Sequence, residues 1–176
     1  MVSKRHHYVM GAVVIHVKVT QPVNNHSRPG QYVLDREEVW AGLRSKAENA
    51  VPFVGGMSEC TVLERRRDGL VREVVVRGER IREDVVFQVG QRVSFHRRDD
   101  RVTWVIHNEI GEDETGGLTL TFASEVLFHD QAAGAEHDDE AAERMRVSTL
   151  QVVQNTLDVI RGMSAARAAS TLAEPH

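Results

Sequence analysis

The sequence predicts an α+β domain, an antiparallel sheet of about seven strands followed by a long C-terminal helix. Three features predict it. From Met57 to about Asp130, apolar and polar residues alternate at period two and are broken at short intervals by turn residues. After an acidic linker, "AAERMRVSTLQVVQNTLDVIRGM" places apolar residues at helical spacing. A shorter helical pattern opening at Asp35 separates the first strand from the others.

The first strand covers about residues 8–20, with Val13, Ile15, Val17 and Val19 on one face. "QPVNNHSRPGQ" is rich in Pro, Asn and Gly and forms a loop. In "LDREEVWAGLRSKAENA", Asp35 and Glu38 have the spacing of a capping box. Val39, Leu43, Lys46 and Ala47 recur there at helical spacing, with Trp40 beside them, and "VPFVGGM" ends the segment. The strands that follow are "MSECTVLERR", "LVREVVVR", "RIREDVVFQ", "RVSFHR", "RVTWVIHNEI" and "GLTLTFASEVLF". Turn signals divide them at Asp68-Gly69, Gly78-Glu79, Gly90, Asp99-Asp100 and "GEDETGG", and an antiparallel meander is the simplest topology. In the last helix Met145, Thr149, Val152, Thr156, Ile160 and Met163 line one side, widened by Leu150, Val153 and Leu157. Residues 1–165 are read as one domain, and residues 166–176 as a tail that frays.

Threading the hairpins shows which residues share a face. A two-residue turn at Gly78-Glu79 sets Val76 opposite Ile81, Val74 opposite Glu83 and Arg72 opposite Val85. A three-residue loop from Val89 to Gln91 pairs Phe87 with Val93 and Val85 with Phe95. A turn at Asp99-Asp100 pairs Phe95 with Trp104 and Val93 with Ile106. Placing Ile110 opposite Leu118 pairs Asn108 with Leu120 and Ile106 with Phe122. Every step keeps the apolar residues on one face, whereas a slip of one residue would expel them.

Glu83 breaks that apolar set. It lies between Ile81 and Val85 in the inward register, with Arg72 diagonal to it and Asn108 further along. An isolated buried carboxylate costs several kcal/mol, so Arg72 is its expected partner. The pair has two readings: a structural ion pair at a cavity rim, or a catalytic pair that orients or protonates a ligand. Asn108 reads as a satisfied interior amide that can also anchor a ligand.

Composition narrows the function classes. The 176 residues carry a net charge of -4, which gives no general attraction to nucleic acid. Arginines in "LERRRDGLVREVVVRGERIRED" alternate with Glu and Asp, as on a solvated, mixed-charge sheet face. Aromatic residues are 5% of the chain and offer no stacking platform for single strands. Cys60 is the single cysteine, so no disulfide forms within the chain; this fits a reducing cytoplasm, with Cys60 a small filler. His16 and Lys18 interrupt the apolar run near the N-terminus, which reads as a strand and not a signal peptide. No run approaches the ~18 apolar residues of a membrane span.

No metal or cofactor is expected. His129, Glu136, His137, Asp138 and Asp139 crowd the linker at spacings that match no common metal site. His6 and His7 read as an exposed pair, and His16, His96 and His107 fall outside the inward register. There is no Gly-rich phosphate loop and no Ser-His-Asp order.

The segments "HVKVTQPVN", "LDREEVWAGLRSKAENAVPFVGGMSECTVLE", "IREDVVFQVGQRVSFH", "GGLTLTFASEV" and "TLQVVQNTLDVIRGM", in this order, carry a resemblance over nearly the whole chain. They resemble the START-like (SRPBCC) superfamily, and within it the AtaL-like family; Trp40, Gly42, Leu43, Lys46 and Phe53 mark its most distinctive stretch. The resemblance implies the helix-grip fold, a strongly curved sheet wrapped around the C-terminal helix with a cavity between them. Such folds bind lipids, sterols, polyketides and other hydrophobic molecules, and some are cyclases or dehydratases. It implies a natural-product setting and no particular catalytic residue.

On that layout Val74, Val85, Phe87, Phe95, Trp104 and Phe122 would wall the cavity from the sheet. Thr149, Val152, Thr156 and Met163 would close it from the helix. The alternative is that these residues simply fill a core. The sequence therefore supports a cytoplasmic binder of a hydrophobic small molecule. It also supports an enzyme on the same scaffold that cyclises, dehydrates or rearranges an intermediate, with Glu83 as acid or base, Arg72 setting its charge and Trp104 shaping the pocket. A third reading is a protein-interaction module that uses the outer sheet face. The oligomeric state is left open, a homodimer included.

Overall fold

Alternating apolar residues and well-placed turns give this chain its sheet, and a computed structural model describes it at residues 8–9, 12–25, 27, 29–129 and 135–173. The elements are β1 (Tyr8–Val9), β2 (Ala12–Pro22), α1 (Arg36–Glu48), β3 (Met57–Arg66), β4 (Gly69–Val76) and β5 (Glu79–Gln88). They continue with β6 (Arg92–Arg98), β7 (Val102–Glu112), β8 (Leu118–Phe128) and α2 (Ala135–Ala173). All strands join one antiparallel sheet in the order β1-β2-β8-β7-β6-β5-β4-β3. The meander from β3 to β8 is as expected, and β2 returns to pair with β8. The expected first strand is two pieces, with the short β1 folded back on β2.

The β5–β6 hairpin has the register read from the sequence, with Phe87 opposite Val93 and Val85 opposite Phe95. The other three hairpins whose register was read from the sequence differ by two residues. The β4–β5 turn is Arg77-Gly78, both at positive φ (50° and 82°), and it sets Arg72 directly opposite Glu83 and not diagonal to it. A tight turn of this kind needs positive φ at both central positions, and glycine reaches it without strain. Between β6 and β7 the loop is longer, because the Asp99 carboxylate accepts from the Arg101 and Val102 amides. Phe95 is then opposite Ile106, Val93 opposite Asn108 and Arg97 opposite Trp104. Between β7 and β8, Asp113 accepts from the Thr115 and Gly117 amides, and Ile110 meets Leu120 while Asn108 meets Phe122. Each shift is even, so no side chain changes face.

The outer face is the mixed-charge surface expected. Arg80 bridges Glu73 and Glu59, and Arg66 bridges Glu64 and Asp84. His16, His96 and His107 lie on that side, where the Ser94 hydroxyl and His107 Nδ1 are 2.8 Å apart.

The helices lie on the inner face. α1 opens with the predicted capping box: Asp35 accepts from the Glu38 amide, and the Glu38 carboxylate accepts from the Asp35 amide. Val39, Leu43 and Ala47 of α1 are fully buried, in a core shared with Val153, Leu157 and Ile160 of α2 and Ile15, Val17 and Val19 of β2. The two helices meet where Gly42 faces Ile160, so closely that a Cβ on Gly42 would lie 2.3 Å from Ile160 Cγ1. α2 runs through Ala173, where the sequence reading expected a fraying tail; the alanines of this stretch favour helix even beyond its packing partners. No helix among the described residues is long and apolar enough to cross a membrane.

Candidate functional site

The inner face divides in two. α1 fills one half of the space between sheet and α2. The other half is left open as a cavity of about 290 Å³. Its sheet wall is Val74, Ile81, Phe95, Trp104, Ile106 and Phe122. Met145, Ser148, Thr149 and Val152 cover it from the first half of α2. Val54 and Met57 border it from the α1–β3 connection and β3.

Its charged groups come from three elements. Glu83 of β5 and Arg72 of β4 both line the cavity and are buried, 5% and 3% exposed. Arg72 Nε donates to Glu83 Oε2 at 2.7 Å, and Nη2 reaches the same oxygen at 2.7 Å. Arg72 Nη1 donates to the carbonyl oxygens of Lys46 and Ala47 at 2.9 and 3.0 Å. Those carbonyls belong to the last turn of α1, so Arg72 ties that helix end to the sheet and complements its dipole. The guanidinium also lies 4.6 Å over the Phe95 ring. Arg72 is thus held on all sides. Glu83 Oε1 accepts no hydrogen bond from the described residues.

Lys46 is the third. It belongs to the apolar stripe of α1, is 5% exposed, and lines the cavity. Its Nζ donates to Asn108 Oδ1 at 2.7 Å and sits 4.0 Å over the Phe122 ring. Its pKa falls to about 7, through burial first and the nearby Arg72 charge second, with Glu83 opposing both. Two more polar atoms have no hydrogen-bond partner among the described residues, Trp104 Nε1 and Ser124 Oγ, both on cavity-lining residues. Arg97, a buried cation at the end of β6, stacks 4.6 Å from the Trp104 ring and is held by Glu79 and Asp99.

The structure brings together Glu83, Arg72, Val74, Phe95, Trp104, Phe122, Thr149 and Val152 of the residues expected at the cavity. Five others lie off its wall. Asn108 is fully buried behind Lys46. Val85 and Phe87 are carried past the cavity by β5; Phe87 meets Trp40 edge-on, with ring centroids 6.2 Å apart. Thr156 lies on α2 one or two turns beyond the cavity, where α1 occupies the space, and Met163 is exposed. Lys46 was missed as a site residue, although its place in the helical stripe beside Leu43 and Ala47 signalled its direction. Ser124 was missed because a small hydroxyl in an alternating strand carries no distinctive pattern.

Among the described residues no three His, Cys, Asp or Glu side chains are grouped to hold a metal ion. Of the linker residues weighed for metal binding, the side chains of Glu136, His137 and Asp138 lie outside the described residues, as do His6 and His7.

The model of a family described as acetylaranotin biosynthesis cluster protein L (AtaL) matches residues 17–167. No curated protein sequence matches the chain. Among solved structures, the chain is similar to the Zhui aromatase/cyclase from Streptomyces sp. R1128, with TM-score 0.61 and 16% identity over 88% of this chain and 96% of that one. It is similar to the di-domain ARO/CYC StfQ of the steffimycin biosynthetic pathway, with TM-score 0.63 and 10% identity over 89% of this chain. There it spans 52% of the longer protein. It is also similar to Ara h 8.0201, with TM-score 0.55 and 9% identity over 89% of this chain and 99% of that one. These likenesses establish the helix-grip fold.

Proposed function

The chain belongs to the AtaL family, and we propose from this premise that it binds a small hydrophobic molecule of natural-product metabolism between its sheet and α2. The observation that carries the reading is the open apolar cavity, closed at one end by Lys46, Arg72 and Glu83. Pockets with apolar walls and a few convergent polar groups are the usual small-molecule sites. The volume, about 290 Å³, is roughly twice the ~150 Å³ that admits benzene, so the ligand or its inserted part is on the scale of two fused rings. An open interior of this kind speaks against a module that works by its outer face alone. The proposed unit is one domain over residues 1–165, acting in the cytoplasm, where a single cysteine is at no disadvantage.

A second reading, catalysis on the same scaffold, is favoured by Glu83, a buried carboxylate that lines the cavity. It would act as acid or base in a cyclisation or dehydration, with Arg72 as a positioning residue. The Zhui and StfQ structures, described as aromatase/cyclases, lend this reading weight through fold alone.

Native mass spectrometry of the protein isolated from its own host tests the first reading. A co-purified small molecule, lost on denaturation, is expected; a bare chain that also takes up no aromatic probe contradicts it. Glu83→Gln tests the second. Loss of conversion with affinity kept supports catalysis, and unchanged conversion removes Glu83 from it.

A further inference from the structure

Of the chain's 22 basic side chains only three are lysines: Lys4, Lys18 and Lys46. Lys18 is exposed on β2, whereas Lys46 lines the cavity. No carboxylate pairs with Lys46 among the described residues, because Glu83 is engaged by Arg72. Asn108 holds Nζ from behind at 2.7 Å, and Asn108 Nδ2 has no partner of its own among the described residues. An arginine at this place would remain a cation, whereas a buried amine can lose its proton and become a nucleophile.

The titratable groups around Lys46 are few. Arg72 comes from β4 and Glu83 from β5, and Cys60 of β3 lies behind Arg72 at 4.0 Å. β6, β7, β8 and α2 present Phe95, Asn108, Phe122 and Thr149, which do not titrate. Burial, reinforced by the Arg72 charge, leaves a large share of the amine unprotonated near pH 7.

We infer that Lys46 captures the carbonyl carbon of an aldehyde- or ketone-bearing ligand as a Schiff base inside the cavity, an inference that rests on the ligand binding proposed above. The amine lone pair forms the new C–N bond while the C=O π pair moves to oxygen. The proton released from nitrogen goes to that oxygen, giving a carbinolamine. Its hydroxyl takes a second proton from solvent and leaves as water while the nitrogen pair closes the C=N bond. One amine, one carbonyl and one proton give one iminium and one water, with no change of oxidation state.

The test uses the full chain with 2-naphthaldehyde as probe, 2-naphthalenemethanol as its carbonyl-free counterpart and cyanoborohydride as trap. Reduction of an iminium leaves a mass increase equal to the aldehyde less one oxygen. Peptide mapping is expected to place it on Lys46 well ahead of Lys18, with both probes shifting the thermal midpoint. Lys46→Arg is expected to lose the label; the wild-type map decides the question even where that variant fails to fold or to bind the probes. If both probes bind but Lys46 carries no more label than Lys18, the inference is overturned and the binding reading survives. If neither probe binds, both are overturned.

Discussion

A lysine whose charge is costly to bury leaves a signature in stability. The pKa of Lys46 falls to about 7 on folding, so from there up to the ordinary lysine range the unfolded chain holds more protons than the folded one. Stability must therefore rise with pH across that window: the burial cost is in full force below about pH 7 and is relieved above it. Compared with Lys46→Met, the wild type is expected to gain ~1.4 kcal/mol per pH unit over that rise, measured by urea melts at several pH values. Parallel curves for the two proteins would mean that Lys46 is not buried as a strained cation. At this scale the sequence was legible where period two could speak. Glu83 and Arg72 are separated from the apolar residues around them by even steps, and both point inward as read. Lys46 was harder to read, because a lysine in a helical stripe ordinarily extends its ammonium to water along the helix edge. Only the sheet wrapping past the end of α1 removes that exit.

Elements are governed by what their turns and crossings demand. α1 and α2 pass so closely at Gly42 that three side-chain atoms of Ile160 fall within 3 Å of where a Cβ would sit. Gly42→Ala is expected to destabilise the protein by ~1–3 kcal/mol, as overpacking does, despite the better helix propensity of alanine. Ile160→Val in the same chain should return part of the loss by making room. An unchanged denaturation midpoint for Gly42→Ala would show that the helices separate without cost. The hairpins illustrate how far pattern reaches. Hydrophobic alternation determined which face a strand buries, and that held at β2 and from β4 to β8. It could not fix the register, because shifts of two residues preserve the face. Gly78 at the second turn position, and the Asp99 and Asp113 carboxylates folding their own loops, settled those shifts.

At the scale of the molecule, the open half of the interior is the feature that stability alone does not explain. By the cost of cavities left in protein cores, a space of about 290 Å³ forgoes several kcal/mol of packing. Val152→Phe, which projects a ring into that space from α2, is expected to raise the thermal midpoint and abolish binding of two-ring probes; a lower midpoint with binding retained would mean the space is not there to fill. The helix-grip arrangement was legible from the order of strand, helix, meander and long helix. Which half of the interior stays open was not. That depends on α1 seating its Val39–Leu43–Ala47 stripe against Val153 and Ile160, which puts Thr156 in a filled region and leaves Thr149 and Val152 over the opening. The most direct measurement of the central claim is a methyl-resolved NMR titration with 2-naphthalenemethanol. The account predicts saturable shifts at Val74, Ile81, Val126 and Val152, with Leu43 and Leu157 nearly still. Shifts confined to outer-face methyls such as Val86, or none at all, would contradict it.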